Sequence, residues 1–168
     1  EGGVGKTRLT RVVLESAVRR DWTVASGGAY PVEAGVPYAP FSDALAPLLR
    51  AMDAATLATL TRGGEAELAY LFQGLAPAGE RPDLVPSGGP AELKTRLLWN
   101  FTQFLIRFAD RRPILLVLED LQWADPSSLE LLHFVARQVS QAPILILCTY
   151  NDAERDRNPT LRTTEQSL

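Results

Sequence analysis

The first residues of the chain have the types and spacing of a phosphate-binding loop. Gly5, Lys6 and Thr7 match the end of the pattern G-x-x-x-x-G-K-[ST], whose first glycine would fall one residue before Glu1. Glycines at 2, 3 and 5 allow positive φ angles and bring backbone N–H groups close to an anion. Lysine supplies a cation for the β- and γ-phosphates, and the threonine hydroxyl can reach Mg²⁺. The predicted cofactor-binding residues are Gly2, Gly3, Val4, Gly5, Lys6, Thr7 and Arg8. The alternative is a glycine-rich turn that caps an amphipathic helix.

Two carboxylates, Glu119 and Asp120, close an uninterrupted apolar run over 114–118. Such a run after Pro113 is typical of a parallel strand buried on both faces, and the carboxyl ends of such strands are where open α/β sheets bind ligands. In this Walker-B arrangement one carboxylate holds Mg²⁺ and the next orients the attacking water. We predict that Thr7 and Glu119 hold the metal and that Asp120 positions water, although Asp120 is also a candidate metal ligand. The alternative is a strand that ends in two solvated acids.

A third polar group follows the apolar run that begins at Ile144. Thr149 or Asn151 could contact the γ-phosphate or the attacking water, and Asn151 is counted with Glu119 and Asp120 as a predicted catalytic residue. Simple capping of the strand end is the alternative.

The elements that must position these groups alternate between helical and extended patterns. We predict a helix over 6–20, a strand over 23–29, a long helix over 91–110, a strand over 114–119, a helix from Pro126 to about 140 and a buried strand over 144–150. Prolines at 31, 37 and 40 predict a loop over 30–41, which its aromatic residues pin to the body. Base stacking by Tyr38 is the less favoured alternative.

Short helices are predicted over 42–73, the first capped by Ser42 or Asp43 and the second by Asp53. A surface loop is predicted over 76–90, where prolines and glycines cluster. Asp125 followed by Pro126 is a strong helix start, and capping accounts for Asp125 in full. No firm element is predicted after Asp152.

The bulk composition is that of one soluble globular domain. The chain has 168 residues, 46% of them hydrophobic and 22% charged, and a net charge of −3 that argues against direct nucleic-acid binding. One cysteine, Cys148, and one histidine, His133, exclude an internal disulfide and a cysteine- or histidine-cluster metal site. No apolar run is long enough to cross a bilayer, so we expect no membrane contact. The cysteine-poor composition fits a reducing compartment, and we expect a cytoplasmic location.

With both motifs placed, the chain resembles the AAA-like P-loop ATPase domain of STAND-class proteins, found in large LuxR-type bacterial transcription regulators and in modules linked to adenylate cyclases. The resemblance spans essentially the whole chain. It is carried by Gly3-Val4-Gly5-Lys6-Thr7-Arg8-Leu9, Pro37-Tyr38-Ala39-Pro40-Phe41, Leu118-Glu119-Asp120-Leu121-Gln122-Trp123-Ala124-Asp125 and Cys148-Thr149-Tyr150-Asn151-Asp152. Two positions depart from the family pattern: Asn151 stands where Arg is usual, and Glu119 where many P-loop ATPases have Asp.

The resemblance implies a three-layer α/β/α fold of the ASCE type with strand order 5-1-4-3-2. The chain would then be a partial domain over 1–168, truncated at both ends, that holds strands 2, 3 and 4 and lacks strands 1 and 5. It also implies ATP and Mg²⁺ as cofactors, slow hydrolysis that serves a regulatory switch, other domains of the same regulator as partners, and nucleotide-dependent self-association. Without strand 1 beside it, the strand over 144–150 is expected to present an open apolar edge that favours aggregation.

Overall fold

The computed structural model describes residues 5–33, 35–72, 89–155 and 157–167. Within them lie three strands, β1 (Thr23–Gly28), β2 (Ile114–Glu119) and β3 (Ile144–Cys148). They form one parallel sheet in the order β1-β2-β3. The predicted α/β class is confirmed, and the three strands are neighbours as expected. The complete order 5-1-4-3-2 and the ASCE type involve strands outside this sheet and stay predictions.

Helices surround the sheet on both faces. They are α1 (Lys6–Arg19), α2 (Ala39–Arg50), α3 (Ala54–Thr61), α4 (Glu65–Leu71), α5 (Pro90–Arg111), α6 (Pro126–Gln138), α7 (Asp152–Arg155) and α8 (Pro159–Ser167), with short 3₁₀ turns at Pro31–Glu33 and Leu121–Trp123. The helices predicted over 6–20, 91–110 and 126–140 are confirmed. Asp53 caps α3, and Asp125 caps α6 with Pro126 in the first turn, both as predicted. Most of the loop predicted over 76–90 lies outside the described residues.

The sheet lies between two layers of helices, and the side chains of its central strand β2 from Ile114 to Leu118 are completely buried as a result. Leu115 and Val117 pack with Ala17 of α1 on one face of the sheet. Leu116 and Leu118 belong to the larger cluster on the other face, which includes residues of α2, α5 and α6. A continuous apolar run is therefore needed at β2, since both of its faces are covered.

Strand β1 presents small residues to α2. Ala25 and Gly27 alternate on the face that α2 covers, and Gly27 lies directly beneath the backbone of Pro40 and Ala44. Because the side chains are so small, the helix backbone can approach the sheet closely.

The apolar stripe of α5 forms the centre of the larger cluster, as predicted. Phe101, Phe104 and Phe108 are buried, and Phe101 meets Phe41 of α2 edge to face with 5.3 Å between ring centroids. Phe72 contacts both Phe101 and Phe104. At the amino end of the stripe, Leu93 is only partly buried.

The predicted loop over 30–41 is wrong at its end, because α2 already begins at Ala39. Pro40 lies in the first helical turn, where a residue without an N–H leaves no intrahelical bond unmade. Ser42 and Asp43, the predicted caps, have other partners. The Ser42 hydroxyl donates to the Leu71 carbonyl, and Asp43 accepts from the Gly28 N–H at 3.1 Å.

Two further corrections concern the end of the chain. Strand β3 ends at Cys148 rather than 150, and it is partly exposed because it lies at an edge of the described sheet, with Leu145 46% exposed. Helices α7 and α8 occupy the stretch for which no element was predicted. Asn158 begins α8 by accepting from the Leu161 N–H, and Pro159 follows it. The Asn-Pro pair is a helix start that the polar composition obscured.

Candidate functional site

The phosphate-loop lysine lies where the parallel strands have their carboxyl ends, which we call the carboxyl edge of the sheet. Gly5, in the left-handed conformation with φ 88°, precedes α1, and Lys6 Nζ donates to the Tyr150 carbonyl at 3.0 Å. Thr7 and Arg8 are exposed in the first turn of α1. Gly2, Gly3 and Val4 lie outside the described residues. The amino end of α1, the positive end of the helix dipole, is thus adjacent to the end of β3.

The ends of β2 and β3 are joined by three hydrogen bonds. Thr149 N–H donates to the Leu118 carbonyl at 2.9 Å, and Leu121 N–H donates to the Thr149 carbonyl at 3.0 Å. Asp120 N–H donates to Thr149 Oγ1 at 3.3 Å. Glu119 and Asp120 therefore lie at the same edge of the sheet as Lys6. Within the described residues, no hydrogen bond joins Thr7 directly to either carboxylate.

Asp120 has φ 57°, a left-handed backbone conformation that Asp and Asn tolerate better than most residues. Its carboxylate is exposed, and Oδ1 accepts from Gln122 Nε2 at 3.2 Å. Oε1 of the same glutamine accepts from the Asn151 N–H at 2.9 Å. Sequence reasoning gave Gln122 no role. Its position between the acid pair and Trp123 was the only sequence feature that could have singled it out.

The Asn151 side chain is engaged locally. Its Oδ1 accepts from the Ala153 N–H at 3.2 Å, and its Nδ2 donates to Glu154 Oε2 at 3.3 Å, so the amide caps the start of α7. These contacts cap a helix rather than the strand end, and a phosphate contact by Asn151 stays a prediction. Thr149, in contrast, accepts at its hydroxyl oxygen and, within the part of the chain described, donates its own hydroxyl proton to no acceptor.

An open cavity of about 360 Å³ lies between α1 and the end of β3. Its lining includes Lys6, Thr10, Thr149, Tyr150 and Asp152. A larger cavity of about 410 Å³ opens between α2 and α4, on the side of β1, and contains none of the predicted site residues. We take the smaller cavity as the candidate site because the lysine lines it and the acid pair lies at the same sheet edge.

Cys148 lines this cavity, and we expect its thiol to react slowly. Burial raises the pKa of its thiol from 9.0 to about 11, since the thiolate is poorly solvated there. The thiolate fraction at pH 8 is then about 100-fold lower than for an unperturbed thiol. We expect iodoacetamide at pH 8 to label the folded protein far more slowly than the urea-unfolded protein, as measured by intact mass. Equal labelling rates would show that the thiol is accessible and ionised.

Asp125 does more than cap α6. Besides the Ser127 and Ser128 N–H groups, at 2.8 and 3.1 Å, its carboxylate accepts from the Tyr38 N–H at 3.3 Å. The prediction that capping accounts for Asp125 in full is therefore wrong. Tyr38 is 6% exposed, and burial raises the pKa of its phenol. The ring is held in the core, which confirms the predicted pinning for Tyr38 and excludes base stacking by it in this conformation, whereas Tyr30 of the same segment is 49% exposed.

The donor set at the sheet edge fits Mg²⁺ together with a nucleotide. Thr7, Glu119 and Asp120 offer oxygen ligands, which Mg²⁺ prefers. Among the described residues no group of three or more His, Cys, Asp or Glu side chains could hold a metal alone. Mg²⁺ is usually bound through one or two carboxylates plus substrate phosphates.

Residues 1–147 match the AAA ATPase domain family. The chain belongs to this family. No curated protein and no solved structure matches it. Membership of the AAA ATPase domain family supports the P-loop fold and indicates nucleotide binding and ATPase activity. None of the helices in the described ranges combines the length and the apolar character that a membrane span requires.

Proposed function

We propose that residues 1–168 are a partial P-loop ATPase domain of the ASCE type that binds and slowly hydrolyses ATP. It would act as a cytoplasmic nucleotide switch in a STAND-class, LuxR-type bacterial regulator. The hydrogen bond from Lys6 to the Tyr150 carbonyl is the observation that supports the proposal, because it brings the lysine of the phosphate-loop pattern to the sheet edge where Glu119 and Asp120 lie. Residues from two motifs separated by most of the chain thus lie at the same edge of the sheet.

Each residue has a role set by its position. Lys6 and the backbone N–H groups around Gly5 bind the phosphates, at the positive end of α1. Thr7 and Glu119 hold Mg²⁺, which when bound neutralises charge on the phosphates. Asp120 orients the attacking water. Thr149, whose hydroxyl proton is available, or Asn151 contacts the γ-phosphate.

Lys6 exchanges partners when a nucleotide binds. Its ammonium group donates to a neutral carbonyl in this structure, whereas a phosphate offers a charge-assisted hydrogen bond of greater strength. Binding would therefore release Tyr150, which lies between Thr149 and Asn151. A ligand that changes these contacts can shift the protein between two conformations. The shift would change how this domain contacts other domains of the regulator or a second copy of the chain.

A thermal-shift titration with Mg·ATP on the intact protein tests the proposal. We expect ATP to raise the unfolding temperature, because a ligand that binds the native state stabilises it. Lys6→Ala should abolish most of the shift. The matched control is Lys94→Ala, which removes the only other lysine, on α5 and ion-paired with Glu130. The proposal is wrong if wild type shows no shift, or if Lys6→Ala and wild type shift equally.

Two rival functions use the same site. A P-loop ATPase or kinase that turns over independently would show a kcat well above about 1 per second without an inducer. A nucleotide-binding scaffold would bind ATP and leave it uncleaved after long incubation. The exposed Asp120 carboxylate, at the same edge of the sheet as Lys6, favours hydrolysis over the scaffold.

A further inference from the structure

Gln122 is a buried polar residue whose side-chain amide forms a hydrogen bond at its nitrogen and another at its oxygen. It is 6% exposed, although it lies in the turn that directly follows the acid pair. Its Nε2 donates to Asp120 Oδ1 and its Oε1 accepts from the Asn151 N–H. Burying a side-chain amide costs free energy unless its hydrogen bonds are made, and here both partners belong to the candidate site.

The contact matters because nothing else described restrains the Asp120 carboxylate. Among the described residues, Gln122 is the only side chain that donates to it. An exposed carboxylate on a turn can rotate about its side-chain bonds, whereas a buried donor fixes one oxygen. The second oxygen is then left in a defined direction, which a group that orients water requires.

The same residue connects this carboxylate to the end of the chain. The Gln122 carbonyl accepts from Asn158 Nδ2 at 3.3 Å, and the Ala124 carbonyl accepts from the same Nδ2 at 2.9 Å. Asn158 Oδ1 in turn begins α8 by accepting from the Leu161 N–H. Gln122 therefore forms hydrogen bonds with the Asp120 carboxylate, with the backbone after β3 and with the residue that begins α8.

We propose that Gln122 is a positioning residue that fixes the Asp120 carboxylate for hydrolysis and couples it to α7 and α8. The inference rests on the proposed function, since it assigns Asp120 to the attacking water. Gln122 itself touches neither nucleotide nor metal in this role. Its removal should lower turnover without weakening ATP binding.

Two variants separate the halves of the amide. Gln122→Met keeps the length of the side chain and removes both hydrogen bonds. Gln122→Glu keeps an acceptor for the Asn151 N–H and loses the donor to Asp120. The control is Gln138→Met, at the exposed end of α6. The intact protein is used for ATP affinity, single-turnover hydrolysis and unfolding temperature.

We expect both variants to hydrolyse ATP about tenfold more slowly, a loss typical when a hydrogen bond that orients a functional group is removed. ATP affinity should stay within about twofold of wild type, because the lost interaction is needed for the chemical step only. The control should match wild type in both. Turnover equal to wild type in Gln122→Met overturns the proposal. If that variant does not fold, the same comparison with Gln122→Glu decides.

A second measurement tests the coupling to α8. Trypsin should cleave wild type after Arg157 and Arg162 at a rate that Mg·ATP changes, and this response should be lost in Gln122→Met. A purely structural role would lower the unfolding temperature yet leave the ATP response intact, which would overturn the coupling. Absence of ATP binding in wild type would instead refute the proposed function, so the two failures are distinguishable.

Discussion

Asp120→Asn is expected to lower ATP turnover by about 100-fold or more while ATP still binds, because positioned acid–base groups contribute on this order. The substitution removes the negative charge that orients water and preserves the shape of the side chain. Asparagine also tolerates the left-handed backbone at this position, where φ is 57°. Alanine would add backbone strain and confuse the result.

The chain offers a matched control in Asp21→Asn. Asp21 has φ 60°, nearly the same backbone conformation. It lies just before β1, at the amino ends of the strands and thus away from the candidate site, and it pairs with Arg112. Single-turnover hydrolysis and ATP affinity should be unchanged in this control. Wild-type turnover in Asp120→Asn would exclude Asp120 as the group that positions water. A rise in the Mg²⁺ concentration needed for binding would reassign it as the metal ligand in place of Glu119.

Gly27→Ala is expected to destabilise the protein by at least about 2 kcal/mol, a typical cost of overpacking a core. A Cβ at this position would lie 2.3 Å from the Pro40 carbonyl oxygen and 2.5 Å from the Ala44 nitrogen. Both atoms belong to the backbone of α2, so relief requires the helix to move away from β1. Urea unfolding followed by circular dichroism measures the loss as a lower midpoint.

The control for this substitution is Gly35→Ala, where an added Cβ would meet nothing within 4 Å. Its stability should change by no more than about 0.5 kcal/mol. If Gly27→Ala unfolds at the same urea concentration as wild type, the close contact between α2 and β1 is not as tight as described.

Regular elements were predictable from the sequence where side-chain periodicity and caps agreed. The continuous apolar run at 114–118 identifies a strand that is buried on both faces. The apolar residues of α5, spaced three or four apart, identify a helix that is buried on one face. Asp53 and Asp125 were predictable as caps because an Asp side chain before a helix accepts hydrogen bonds from its first N–H groups. The start of α2 was not, because its cap residue, Tyr38, has no side-chain oxygen that bonds the helix end, and its N–H is held by Asp125.

The candidate site was predictable in its motifs and not in its connections. The types of Lys6, Glu119 and Asp120 indicate phosphate and metal chemistry, since few residues can supply it. Gln122 was missed because a glutamine has no characteristic spacing, and its function depends on which backbone groups the fold places around it. Asn151 illustrates the reverse case: its position suggested a phosphate contact, whereas its side chain caps α7.

The hydrogen bond between Tyr38 and Asp125 joins residues 87 positions apart. The parallel pairing of β1 with β2 spans a comparable length of chain. Closing such large loops costs entropy before the contacts return any stability, so folding rates fall as contacts become more distant in sequence. The hydrogen bond between Asp125 and the start of α2 therefore forms only when α6 is in place, and we expect this domain to fold in one slow concerted step rather than from its amino end onward.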